Sequence, residues 1–492
     1  MTEKIKHKGL ALGILATGQF MVILDATIVN VALPAVQKAL GFTSAAQLQW
    51  IVTAYALAFG GFLLLGGRLA DLFGRRRMFM IGVALFASAS LFAGLSQNPT
   101  MLIALRMAQG LGGAMLAPSA LSLVLNIFSE GQERNRALGV WSMVAGGGGA
   151  IGLLLGGVLT QYVDWRWIFF INVPIAVAVL VAAARYLPKG AATHKQQIDY
   201  VGAVGITASL MSIVYGLAQA AQTSWTDRST VLSFVSAAVF MAIFIVNELR
   251  VKYPLIPLGV FKRRNVSGGS LVQLFMPAAL FGMFFYLSIY LQQIAQYTPT
   301  ETGVADVPFT IILIIVAGTL SSRIAKLNPK PIMIVAPLIV ASGLLFFARI
   351  PVHANYWTDI FPGIALMAIG MAAVFVTTTI VTTSGASREE AGLLSGLLNT
   401  GQQIGGAIGL AVLSVVSTAV TKKDMVAAHG SMAALPSALV HGFQRGFLVA
   451  AFFAVGASFI SLVVLKIHKP TATNLEQELE LEAEAAAAIP GV

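Results

Sequence analysis

Long apolar runs, each about the length of a bilayer crossing and each closed by a short polar stretch, fill this chain from residue 10 to residue 466. A bilayer core takes about 20 predominantly apolar residues per spanning helix. By that measure fourteen spans are predicted, at 10–33, 47–67, 78–96, 101–128, 137–161, 167–187, 199–221, 230–249, 266–293, 303–322, 331–349, 358–384, 391–420 and 443–466. The tenth carries Asp306 near its start, and the eleventh is opened by Pro331 and interrupted by Pro337. The first run is too long for a cleaved signal peptide, contains Asp25 and lacks a small-residue cleavage site, so it is read as a span.

Composition agrees: 57% of the 492 residues are hydrophobic and 10% charged, at a mean hydropathy of +0.83. Soluble domains run near about 25% charged. The chain has no cysteine, which removes disulfides, thiolate metal sites and cysteine nucleophiles. All six histidines fall in predicted loops or tails, against a histidine relay or a metal site in the membrane. No GxxxxGK[ST] phosphate loop and no nucleophile–base constellation is found, so the chain reads as no enzyme and as needing no cofactor.

The net charge of +11 places the spans rather than implying nucleic acid. With Lys4, Lys6 and Lys8 on the cytoplasmic side, alternate loops should be basic. Arg75, Arg76 and Arg77 follow span 2, Lys262, Arg263 and Arg264 precede span 9, and Arg323, Lys326 and Lys330 follow span 10. The connection of Gln97, Asn98 and Pro99 between spans 3 and 4 carries no charge. A plasma (inner) membrane protein with both termini in the cytoplasm is expected, ending in a glutamate- and alanine-rich tail over 471–492.

Two segments recur at nearly one offset. Gly148 to Leu153 on span 5 reappears letter for letter as Gly405 to Leu410 on span 13, 257 residues later. The run Arg68-Leu69-Ala70 is echoed by Arg323-Ile324-Ala325, 255 residues later. Agreement within two residues favours duplication over chance. The offset moves span 5 to span 13, an even number of helices, so the halves run parallel. The predicted fold is therefore an all-α membrane protein of 14 transmembrane helices: a six-helix half over 1–190, two inserted helices over 191–255, a second six-helix half over 256–470, then the tail. Such halves form a transporter architecture with its site near midplane between them.

Only Asp25 and Arg106 are ionisable groups well inside a span, where each costs roughly 2.5–3.5 kcal/mol on insertion scales. At 1.5 Å per residue they lie about 12 Å and about 9 Å from the same membrane face, so a direct or water-bridged pair is open to them. One reading is a carboxylate that takes and gives a proton in competition with Arg106; the other is a static pair locking helix 1 to helix 4. Asn30, Gln109, Asn126, Gln273, Asn399, Gln402 and Gln403 either line a polar cavity or bond helix to helix. Tyr286 and Tyr290 either contact an apolar ligand or pack in the core. Gly146 to Gly149, with Gly152, Gly156 and Gly157, suit close helix contact.

With these motifs in hand, the chain resembles the major facilitator superfamily, and within it the fourteen-helix drug:proton antiporters of the EmrB/QacA type. Leu24-Asp25-Ala26-Thr27-Ile28-Val29-Asn30-Val31-Ala32-Leu33-Pro34 is similar to the helix 1 signature, which implies Asp25 as the proton site. Gly67-Arg68-Leu69-Ala70-Asp71-Leu72-Phe73-Gly74-Arg75-Arg76 matches the loop between helices 2 and 3, implying a conformational latch at Gly67, Asp71, Gly74, Arg75 and Arg76. Arg106, Gln109, Gly110, Gly112 and Gly113 fit the helix 4 motif tied to proton coupling, and the stretch from Asp164 to Pro174, containing Asn172, is a further hallmark. Gly149, Gly152, Gly156 and Gly157 fit the antiporter motif of helix 5, although Leu153 stands where that motif has proline. Gln402-Gln403 replaces an Arg-Gln of helix 13, and Asp306 stands in a usually apolar run; helix N-terminal stabilisation is its plain account.

The resemblance implies proton-coupled export of hydrophobic or amphipathic small molecules by alternating access, driven by the proton gradient. The expected partners are a small-molecule substrate, protons and the lipid bilayer, with no nucleic acid and no metal; a periplasmic adaptor is left open. A dedicated exporter of one metabolite or antibiotic is the alternative, and a non-transporting membrane sensor a further one.

Overall fold

The computed structural model describes residues 8–128, 132–188, 199–252, 254–323, 328–384 and 388–465; the 471–492 tail, Lys4, Lys6 and Lys326 lie outside them. Helices make up the described fold, with no strand among the described residues. Helix α1 spans Lys8–Leu40, α2 Trp50–Phe73, α3 Arg75–Gly94, α4 Pro99–Ile127 and α5 Gln132–Tyr162. A short turn at Trp167–Phe170 leads into α6 at Asn172–Tyr186, followed by α7 at Tyr200–Gln222 and α8 at Arg228–Arg250. Then come α9 at Arg264–Gln293, α10 at Pro299–Arg323 and α11 at Pro329–Phe347. The last three are α12 at Phe361–Thr383, α13 at Arg388–Ala427 and α14 at Leu435–Val464.

Thirteen helices among the described residues are long and apolar enough to cross a membrane. The predicted fifth span coincides with α5, whose side chains are described only in part, and it stands outside that thirteen. Several helices overrun their predicted limits. Helix α1 continues through Pro34 to Leu40; α11 ends within its predicted limit at Phe347 but passes through Pro337 without interruption. Packed neighbours re-satisfy what a proline frees in a membrane helix. Helix α2 runs on to Phe73, so Asp71 lies inside it rather than after it, and the turn into α3 falls to Gly74 at φ 96°. That backbone region is strained for any residue with a Cβ. Helix α14 begins early enough to contain His441, which pairs with Asp424 at 2.9 Å rather than sitting in a loop.

Helix pairing repeats along the chain. Helix α1 packs on α4, α5 and α6, α4 packs on α2 and α3, and α3 packs on α6. Eight helices on, α9 packs on α12, α13 and α14, α12 packs on α10 and α11, and α11 packs on α14. The two sets meet where α5 crosses α10, α2 crosses α13 and α1 crosses α9. Helices α7 and α8 pair with each other, and α7 also lies on α2 and α13.

Glycine sets how closely α4 is held. A Cβ at Gly66 of α2 would lie 2.0 Å from the Ala114 carbonyl oxygen, and one at Gly110 would lie 2.5 Å from that of Tyr55. Gly82 of α3 and Gly112 face each other the same way, at 2.8 and 2.9 Å from the opposing carbonyl oxygens. Small residues at membrane helix contacts permit this backbone approach. Gly66→Val is therefore expected to destabilise the protein by about 1–3 kcal/mol through overpacking. Gly13→Val should not, since nothing lies within 4 Å of that Cβ position. Thermal unfolding of the two purified variants checks this, and equal melting would refute it.

Candidate proton-coupling site

Close packing of α4 brings two of its side chains onto α1. Arg106 and Gln109 are three residues apart, hence on one helix face. Both are buried, as is Asp25 in the middle of α1, at 1%, 0% and 0% exposure. Arg106 Nη1 donates to Asp25 Oδ2, and also to Gln109 Oε1 at 2.9 Å. Gln109 Nε2 and Asn172 Nδ2 donate to Asp25 Oδ1 at 2.9 and 3.1 Å. The carboxylate thus accepts from three side chains on two other helices, an acceptor role that suits its ionised form.

A second ring of groups fixes these donors. Arg106 Nε donates to the Ile51 carbonyl at 2.9 Å, and its guanidinium lies 4.4 Å from the Tyr55 ring centroid. Gln109 Nε2 and Asn172 Nδ2 both reach Ser90 Oγ, at 3.1 and 3.0 Å, and that hydroxyl donates to the Phe169 carbonyl at 2.9 Å. Asn172 is brought in because the chain turns through Trp167–Phe170 and restarts as α6 at that residue. Five helices therefore converge on one carboxylate. Ser90, Tyr55 and the Ile51 carbonyl carried no sequence signal, and Asn172 carried only membership of a quoted motif.

The remaining predicted residues are placed as follows. Asn30 turns its amide back onto the Ala26 carbonyl at 3.2 Å, and its own carbonyl accepts from Ser288 Oγ at 2.7 Å. Tyr286 is buried among Phe285, Phe443 and Phe447, with its hydroxyl 3.3 Å from Ser414 Oγ. Tyr290 is buried too and donates to the Pro351 carbonyl at 2.7 Å. Asn399 is exposed and donates to the Ser395 carbonyl at 3.1 Å, while the stem of Gln403 lies against Gly60 of α2. At the predicted latch, Arg75 Nη2 reaches Asp71 Oδ1 at 3.0 Å. Arg76 donates to the Leu187 carbonyl at 2.9 Å and to that of Ala184, at the end of α6. Gly67 has only ordinary contact, with Pro118 at 3.7 Å.

Where the two helix sets meet, one end of the bundle is zipped. At the end remote from Lys8, Gln292 Nε2 of α9 donates to the Val31 carbonyl of α1 at 2.8 Å, and Gln293 Nε2 donates to Gln37 Oε1 at 2.9 Å. Of the antiporter-motif glycines, Gly157 lies on the α5–α10 part of this seam, while Gly152 and Gly156 hold α5 against α1 within the first set. Cβ atoms at Gly152 and Gly156 would meet Thr27 and the Ile28 carbonyl of α1 at 2.0 and 2.7 Å. One at Gly157 would lie 2.6 Å from the Pro299 carbonyl oxygen of α10. Gly149 is looser, with Thr27 and Thr310 at 3.9–4.0 Å. Toward the Lys8 end, Gly9 and Gly13 of α1, Gly139 and Gly147 of α5 and Gly318 of α10 have nothing within 4 Å of that position.

Asp306 departs from its expected role. Helix α10 starts at Pro299, and Glu301 takes the first turn, where its Oε2 accepts from the Thr298 N–H at 2.8 Å. Asp306 comes a turn later, fully buried, with no hydrogen-bond partner on either oxygen among the described residues. The helix terminus is too far away to account for it, because the dipole effect falls off within the first turn.

The Major Facilitator Superfamily model matches residues 15–410. The puromycin resistance protein pur8 of Streptomyces alboniger is 38% identical over 470 residues, 94% of this chain and 92% of that protein. The cephamycin export protein CmcT of Amycolatopsis lactamdurans is 36% identical over 420 residues, 85% of this chain and 86% of its own length. Among solved structures, a bacterial homolog of the human lysosomal transporter Spinster, inward-facing and unoccupied, superposes with a TM-score of 0.68 at 15% identity, over 94% of this chain and 98% of that one.

Proposed function

Since this chain belongs to the major facilitator superfamily, we propose that it exports hydrophobic or amphipathic small molecules in exchange for protons, by alternating access. It is a multi-pass membrane protein and an efflux transporter, like relatives that match it over most of its length. The observation that carries proton coupling is the Asp25 cluster: an acidic group with no exposure, held by Arg106, Gln109 and Asn172. A proton arriving at Asp25 displaces Arg106 from the carboxylate and loosens α1 from α4. Loss of the proton restores the pair. Charge moved across a membrane is worth about 2.3 kcal/mol per elementary charge per 100 mV, enough to drive such a cycle.

Alternation follows from the seam. With the basic Lys8 end in the cytoplasm, the zipped end faces outward and the glycines with free space face inward. This arrangement is the inward-facing one. The six-helix units at 1–190 and 256–470 rock about the site between them, and Asp71, Arg75 and Arg76, bonded here within the first unit, regroup across the units to latch the opposite state. The cell membrane, cytoplasmic termini and proton gradient complete the reading, with no enzymatic step.

The relatives named for one antibiotic each favour a second reading, export of a single compound. Competition among unrelated compounds for one binding site separates the two. The main reading is tested by reconstituting the protein in liposomes with a pH gradient and adding substrate. Proton movement in step with substrate is expected, and substrate flux without it overturns the coupling.

A further inference from the structure

Asp306 is used by nothing described so far. It lies one helical turn from Gly303 and one from Thr310, on the stripe of α10 that meets α5. Gly303 abuts the Leu153 carbonyl of α5, 2.4 Å from where its Cβ would be, and Gly149 of α5 faces Thr310. Asp306, on that stripe, is completely buried. An ionised carboxylate without donors in apolar surroundings is too costly to persist; such a group takes up a proton instead.

Among the described residues the neighbours give no counter-charge. On the turn entering α12, Tyr356 donates its hydroxyl to the Ala305 carbonyl at 2.8 Å, and Asp359 accepts from the Asn355 N–H at 2.7 Å. Beyond the end of α9 stands Tyr297, and within α9 Tyr290 is bonded to Pro351. Helix α1 offers Asp25, already held by Arg106, and Lys38 near its end. At this end α5 carries only Tyr162 among its described residues, exposed at its last position, and on α10 itself Glu301 caps the helix start.

We propose that Asp306 is a second proton-binding site of the transport cycle, loaded from the outer side when α5 and α10 part, and emptied toward the cytoplasm past Thr310 and Gly149, where the two helices pack loosely once the seam has closed. The inference rests on the proton-coupled reading above and adds a second carrier to it. Asp25 has three side-chain donors, whereas Asp306 has none among the described residues. The seam that closes the outer end is also what exposes or hides the second acid. No bond other than O–H forms or breaks; water at the opened outer seam gives the proton, and water on the cytoplasmic side takes it.

Two measurements test it. Infrared spectra of the purified protein at neutral pH should contain a protonated carboxylic acid carbonyl band that Asp306→Asn removes and Asp25→Asn leaves. A spectrum unchanged in Asp306→Asn overturns the proposal. Asp306→Leu should fold, with a raised melting temperature, because it removes an unsatisfied polar group. In liposomes it should then exchange one proton fewer per substrate than the parent. An unchanged proton count, or a change confined to preference among cationic substrates, overturns the proposal. The parent's own proton movement separates the two failures: its absence sinks the coupled reading, whereas its presence with an unaltered Asp306 spectrum sinks only this inference.

Discussion

Asp25→Asn is expected to reduce substrate-driven proton movement to that of protein-free liposomes. The amide still accepts from Gln109 and Asn172 at Oδ1, so the local geometry survives, but it cannot bind and release a proton at physiological pH. What it strands is Arg106, a buried cation left with the Ile51 carbonyl and Gln109 Oε1. Removing one partner of a buried pair costs about 3–5 kcal/mol, because the other charge stays buried without compensation. The single variants Asp25→Asn and Arg106→Gln should therefore each lower stability by about that much, while the double variant loses less than either. Unfolding of the four proteins measures the stability cycle, and proteoliposome flux measures the coupling. If Asp25→Asn exchanged protons as well as the parent, the pair would be a static lock between α1 and α4.

The pair was legible because charge is so scarce in this chain that a lone acid and a lone base inside spans stand out, and helix rise alone set them at one depth. Gln109 was visible as a polar residue, but its neighbour across the helix face was not, so it read equally well as cavity lining. What completes the cluster has little or no signature: a serine on α3, the carbonyl of Ile51, and an asparagine placed by an interruption of the helix at Ile171. Tyr286 and Tyr290 show the converse. An aromatic side chain on a central helix reads the same whether it lines a cavity or fills a core, and only the rings of Phe443 and Phe447 decide for the core. Span limits failed where helices outlast the apolar run, as α2 does through Asp71. Hydropathy marks where lipid ends, and hydrogen bonding within the helix does not stop there.

Gly157→Val should shift the protein away from the conformation described here. Its Cβ would stand 2.6 Å from the Pro299 carbonyl oxygen and 2.7 Å from Thr300 Cα, both backbone atoms in the first turn of α10. Pro299 has a fixed φ, so that turn has little freedom to yield. From the other side Gly303 already abuts the Leu153 carbonyl. Overpacking of this kind costs about 1–3 kcal/mol. Here the cost falls on one state only, because the seam parts in the opposite state. A bias of that size displaces the equilibrium about 5- to 150-fold. The chain has no cysteine, so Gln161→Cys with Thr300→Cys, at positions joined by a 3.1 Å hydrogen bond across the seam, makes a clean reporter. Cross-linking between them should fall in Gly157→Val and export should fall with it, because each cycle must pass through the closed seam. Gly147→Val, at a position with free space, should leave both unchanged. Equal cross-linking in Gly157→Val and the parent would show that the α5–α10 contact is not what closes this end.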